Sequence, residues 1–109
     1  MHELAIAESL VAAVLERTEQ RPVTTVRIRV GKLSGVVADA LDFAFEVATA
    51  GTPLEGATLE IEQPTGRASC RTCGADFELP DLILLCPCGS ADVEVLAGRE
   101  LSLGSVEVA

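Results

Sequence analysis

Seven residues carry the chemistry that this sequence offers. Four are cysteines: Cys70 and Cys73 stand two residues apart, Cys86 and Cys88 one apart, and twelve residues separate the pairs. Each close pair sets two thiolates on one tight turn. Four thiolates close a tetrahedral site, a geometry that zinc accepts with no position left open, so the site reads as structural and not catalytic. Gly74 and Gly89 follow the pairs, where the backbone must curl for its N–H groups to point at sulfur. The other three residues are Met1, His2 and Glu3. A bulky residue at position 2 leaves the initiator methionine in place. The α-amine, the His2 amide nitrogen and the His2 imidazole then form adjacent five- and six-membered chelate rings. Such a planar nitrogen set suits Ni(II) or Cu(II), and Glu3 completes it through its carboxylate or its amide.

Each reading has a rival. The cysteine spacing is that of a zinc ribbon or rubredoxin-type knuckle pair, except that the second knuckle, Cys86-Pro87-Cys88, is one residue shorter than Cys-x-x-Cys. The shorter pair still reaches one metal, but its turn must differ. The alternatives are buried unconnected cysteines, a redox couple at Cys70 and Cys73, and an iron redox carrier. For His2 the alternative is a solvated terminal residue. It is the single histidine of the chain, so a Ser-His-Asp or Cys-His hydrolase would need its base at the second residue, where no supporting shell holds it.

Composition narrows the classes further. The 109 residues carry 8 Lys+Arg against 17 Asp+Glu, a net charge of −9. Binding to duplex DNA and to anionic membranes draws on Lys/Arg neutralising phosphates, so both are disfavoured. Aromatics make up 3% of the chain, too few for a platform that stacks single-stranded bases. Hydrophobic residues make up 49%, enough for a core of Val, Leu, Ile and Ala. No segment offers the ~20 apolar residues of a membrane span. Glu3 and Glu8 stand where a signal peptide places positive charge and then an apolar run. The expected location is the cytoplasm, where four cysteines serve as metal ligands or redox groups sooner than as disulfides.

The elements that must position these residues follow from periodicity. Residues 4–19 predict a helix with Leu4, Ala7, Leu10, Val11, Val14 and Leu15 on one face, stopped by Pro22. Residues 23–30 alternate as a strand with Val26, Ile28 and Val30 inward. A turn over 31–35 leads to a second helix over 40–49 with Asp39 as N-cap. Residues 57–63 alternate again. Strand signals return at Val93 and Val95 and at Leu101 and Leu103, and then slip by one to Val106 and Val108, which calls for a bulge at Gly104-Ser105. The predicted class is α+β. Two helices pack on a small, about three-stranded sheet formed by residues 1–66 and 91–109, with residues 67–90 inserted as a zinc-ribbon-like lobe.

The start MHELAIAESL, the segment VRIRVGKLSGV, the helix containing FAFE and the stretches CPCGS and VEVLAGRELSLGSVEV together resemble the HypA/HybF family of hydrogenase-maturation nickel metallochaperones, in order over essentially the whole chain. The resemblance implies an α/β nickel domain with an inserted zinc domain. It makes His2 the nickel ligand with acidic Glu3 beside it, and Cys70, Cys73, Cys86 and Cys88 the ligands of a structural zinc. Some members carry a nickel-holding carboxylate near the start of the second helix. The alignment places Val37 there, so that Asp39 or a backbone donor must substitute. The implied function is delivery of nickel, as cargo, to hydrogenase, with urease as a second destination. The implied partners are a maturation GTPase, the hydrogenase large subunit, urease accessory proteins and a second copy of the chain. The competing reading is a zinc-ribbon module that docks to a protein complex and has no nickel role.

Overall fold

The structure is a computed structural model describing residues 2–109; Met1 lies outside the described residues. The element order is α1 (Glu3–Thr18), β1 (Val23–Val30), α2 (Ala38–Thr49), β2 (Thr58–Glu62), β3 (Gly66–Cys70), β4 (Asp76–Leu79), β5 (Val93–Ala97) and β6 (Leu101–Val108). They form two three-stranded sheets, ordered β2-β1-β6 and β4-β3-β5.

The first sheet is built around β1. Its alternation buries Val26, Ile28 and Val30 on the side facing the helices. β1 pairs in parallel with β2, across the α2 connection, and antiparallel with β6. Ala7, Val11 and Val14 of α1 and Leu41, Ala44 and Phe45 of α2 close the core over it. On the outer face, Arg27 bonds Glu60 of β2 and Glu107 of β6. Such exposed pairs add little to stability, so burial and not charge holds the sheet. The expected bulge is present: Arg27 pairs with Ser105 and Ile28 with Leu103, leaving Gly104 unpaired. A Cβ at Gly104 would lie 3.1 Å from the Arg27 carbonyl oxygen.

Several local expectations change. Leu4 is 47% exposed, and Ile6 packs partly against the core on α1. α1 ends four residues before Pro22, because Glu19 (φ 54°) and Gln20 (φ 64°) turn the chain into the left-handed region. Val37, not Asp39, is the N-cap of α2, and Asp39 lies in its first turn.

The second sheet shifts the expected outline of the inserted lobe. Residues 93–97, assigned with 91–109 to the first unit, pair instead with β3 in the second sheet. Alternation at Val93 and Val95 marks a strand but carries no information on which sheet receives it. The chain breaks at Gly98 (φ 112°) before rejoining the first sheet as β6. The lobe's core is Leu33, Ala68 and Leu79, with Phe77, Leu84, Val93 and Val95 packed against it. Leu33 belongs by sequence to the turn after β1.

The two sheets meet at a waist in a molecule 52 Å long and 20 Å across. There Gly31 N–H donates to Glu100 O (2.8 Å), Lys32 N–H to Pro64 O (3.0 Å) and Leu33 N–H to Gly98 O (2.7 Å).

Candidate metal centres

The four cysteines converge although they lie on separate segments. Cys70 ends β3, Cys73 sits in the turn to β4, and Cys86 and Cys88 lie in the loop before β5. Their sulfur atoms all fall within 4.8 Å of one another. Cys70 and Cys88 sulfurs are 3.8 Å apart, and those of Cys73 and Cys86 3.7 Å. A tetrahedron of thiolates with metal–sulfur bonds of about 2.3 Å has edges of about 3.8 Å. A disulfide needs about 2 Å, and all four cysteines are free. The arrangement therefore fits a closed four-thiolate metal site.

The short second knuckle is accommodated without losing a sulfur. In the first, Cys70 N–H donates to Ala75 O and Gly74 N–H to Cys70 O, both at 2.9 Å. In the second, Cys86 N–H donates to Ser90 O (2.9 Å) and Gly89 N–H to Cys86 O (2.8 Å), so each bond spans one residue fewer. Gly74 (φ 77°) and Gly89 (φ 94°) make both turns possible. The amides aimed at sulfur come from the second cysteine of each pair: Cys73 N–H to Cys70 Sγ and Cys88 N–H to Cys86 Sγ, each 3.4 Å. The Thr72 and Ser90 hydroxyls, 2.8 Å apart, tie one knuckle to the other. Cys70 and Cys86 are buried, and Cys73 and Cys88 face outward.

The sulfur environments within the cluster differ. The Cys73 N–H, followed by other donors, holds the Cys70 thiol down to about 6. Cys86 receives the Cys88 N–H, which favours its thiolate. Burial and the adjoining thiols of Cys88, Cys73 and Cys70 outweigh that and push it up to about 12. A cation at the centre relieves this crowding of sulfur charge.

The second set of residues lies at the end of the first unit that adjoins the waist, beside Leu101, which pairs with Val30. His2 is exposed and is the N-cap of α1, with its carbonyl accepting Ile6 N–H at 3.1 Å. It borders an open apolar groove of about 500 Å³ between α1 and β6, lined by Ile6, Leu10, Ile28, Leu101 and Leu103. Glu3 points the other way. Its Oε2 accepts the Val37 N–H at 3.3 Å, and that donor is the leading cause holding the Glu3 carboxyl below its ordinary range. The Met1 α-amine lies outside the described residues. The structure thus brings Glu3 to the start of α2, the region where the expected second-helix ligand was missing, and sets Asp39 exposed in the turn beyond.

Sequence reasoning missed the Glu3–Val37 contact and the waist. A faint signal for the waist existed: Gly31 and Gly98 both follow runs of strand character.

Comparison with known proteins decides the family. Residues 1–108 match the family described as "Hydrogenase/urease nickel incorporation, metallochaperone, hypA". The chain belongs to the HypA family. The hydrogenase maturation factor HypA of a Nostoc species is 42% identical over 108 residues, covering 99% of this chain and 96% of that protein. The HypA of a Roseiflexus species is 47% identical over 112 residues, covering 98% and 91%. The solution structure of the Ni metallochaperone HypA from Helicobacter pylori superposes with a TM-score of 0.66 at 25% identity, covering 99% of this chain and 97% of the other. HypA proteins are maturation factors and metallochaperones, so the family role is metal handling. The α+β fold with its four-cysteine lobe agrees with this match. Among the described residues no helix is long and apolar enough to cross a membrane.

Proposed function

We propose that this HypA-family chain binds Ni(II) through its N-terminal segment and hands it to a hydrogenase precursor, with urease as a second destination. Nickel is cargo, and the chemistry is ligand exchange. The donors are the Met1 α-amine and the amide and imidazole nitrogens of His2, with Glu3 beside them. The observation that carries the reading is the exposure of His2 at the start of α1. A few nitrogen donors open to solvent can release a metal to an acceptor. Four thiolates closed around a centre cannot do so readily, and Cys70, Cys73, Cys86 and Cys88 are assigned to a structural Zn2+.

Two units divide the work. Residues 2–30, the helices, β2 and β6 present the cargo site, and β3 to β5 with the cysteines form the zinc unit. A maturation GTPase and the hydrogenase large subunit are the partners this role requires, in the cytoplasm; urease accessory proteins and a second copy of the chain complete the set. The deciding measurement is metal analysis of untagged protein, wild type beside His2→Ala. Wild type is expected to take up one nickel and one zinc, and His2→Ala zinc alone. Equal nickel in both proteins would leave a zinc-ribbon docking module as the better reading.

A further inference from the structure

The N-terminus of α2 lacks a cap from its own sequence. Val37 occupies the N-cap position with extended backbone (φ −87°, ψ 114°) and makes no side-chain cap bond. Its carbonyl accepts the first helical bond, from Leu41 N–H at 3.0 Å. The N–H groups at the start of a helix have no partner within it, and together they form the positive end of its dipole. The neighbouring Ser34 hydroxyl is taken by Val36 N–H at 3.2 Å, and Asp39 is exposed. The carboxylate that arrives comes from the other helix: Glu3, half-buried, accepts the Val37 N–H.

We propose that Glu3 is a positioning residue: its carboxylate caps α2 in trans, holding the His2–Glu3 backbone against the second helix, and does not ligate nickel. The functional half of this rests on the nickel reading above; the capping half does not.

The two contacts act on adjacent residues. His2 O is fixed by Ile6 N–H from α1, and Glu3 is fixed by Val37 N–H from α2. They hold the His2–Glu3 peptide unit, which adjoins the proposed donors, the amide and imidazole nitrogens of His2. Segments at chain termini are loosely ordered unless tied down, and donors ordered beforehand bind more tightly because less freedom is lost on binding. The carboxylate thereby strengthens nickel binding without touching the metal. Val37 contributes to this contact through its backbone N–H alone.

Glutamine distinguishes capping from ligation, because its carbonyl oxygen accepts the Val37 N–H while its amide is a poor nickel donor. Untagged wild-type, Glu3→Gln, Glu3→Ala and His2→Ala proteins would be titrated with Ni(II) and followed by absorption. Amide exchange at residues 37–41 would be measured on the same proteins before nickel is added. Glu3→Gln is expected to keep the wild-type spectrum and an affinity within about threefold. Glu3→Ala should weaken nickel binding and speed exchange at the start of α2 by about fivefold or more, the size of a lost cap. Equal loss of nickel in Glu3→Gln and Glu3→Ala with a changed spectrum, alongside loss in His2→Ala, would overturn the proposal and leave the nickel reading standing. Unchanged exchange in Glu3→Ala would also overturn it. Full nickel binding by His2→Ala would overturn the nickel reading and the positioning role together.

Discussion

Leu33 and Gly98 join the two units: the Leu33 N–H donates to the Gly98 carbonyl at 2.7 Å, while the Leu33 side chain, 4% exposed, fills the core of the cysteine unit. The strand that organises the first sheet thus runs on into the second core. The backbones cross too closely for side chains. A Cβ on Gly31 would lie 2.0 Å from Gly98 O, and one on Gly98 would lie 2.5 Å from Gly66 Cα.

Gly31→Ala is therefore expected to cost about 3 kcal/mol or more, because the obstacle is backbone and cannot swing aside. Leu33→Ala should cost about 2–5 kcal/mol by opening a cavity in the small second core. Leu82→Ala, at a side chain 61% exposed, should change stability by about 0.5 kcal/mol or less. Urea denaturation of the three variants checks this ranking. A Gly31→Ala protein as stable as wild type would contradict the close crossing.

How much of this was legible in the sequence depends on the range of the interaction. Both helices, β1 and β2 announced themselves through local periodicity, and even the Gly104 bulge showed as a phase slip between Leu103 and Val106. The cysteine cluster was legible because its spacing is itself the signal. The sheet that receives β5 was not, because Val93 and Val95 need only a half-buried face and either sheet supplies one. Nor could the sequence show Glu3 at the start of α2. An N-cap is read from the residue beside the helix, and here the carboxylate comes from 34 residues away.

Glu100 makes the waist sensitive to acid. Its own N–H, then that of Gly98, and the nearby Arg29 hold its carboxyl below the usual 4.5. The folded state therefore binds this proton less readily than the unfolded chain does. The contribution to stability is complete above the unfolded value and is lost as pH falls through the folded one. Glu100→Gln keeps an acceptor for the Gly98 N–H but not the charge. Urea midpoints over about pH 3–6 should fall less steeply toward acid in Glu100→Gln than in wild type. Parallel curves would remove Glu100 from the acid response.

The cysteine unit should depend on its metal. Its buried core is three residues, Leu33, Ala68 and Leu79, too few to order the loops that carry the thiols. In a site of this kind the binding free energy is folding free energy. Chelation of zinc from the intact chain, or Cys70→Ala, is expected to release amide protection across β3 to β5 while α1, β1 and α2 keep theirs. Full protection of the cysteine unit after complete metal removal would show that the thiolate cluster is not what holds it. Added nickel should leave the zinc in place, because the two donor sets sit on different units and differ in softness.

The sharpest expectation concerns the first atoms of the chain. If the Met1 α-amine is a nickel donor, any residue placed before Met1 converts that amine to an amide, which must lose a far less acidic proton before it can bind. The ligand set then changes although His2, Glu3 and the fold do not. Ni(II) titration of untagged and N-terminally extended protein, followed by absorption for a planar site, should show weaker binding or altered geometry in the extended form, with zinc content and helicity the same in both. His2→Ala removes the imidazole and with it the six-membered ring, and should abolish specific binding altogether. Loss in His2→Ala with the extension tolerated would keep the imidazole as a donor and take the α-amine out of the set. The donors would then be the ring and amide nitrogens of His2, next to the His2 carbonyl that Ile6 holds from α1 and the Glu3 carboxylate that Val37 holds from α2.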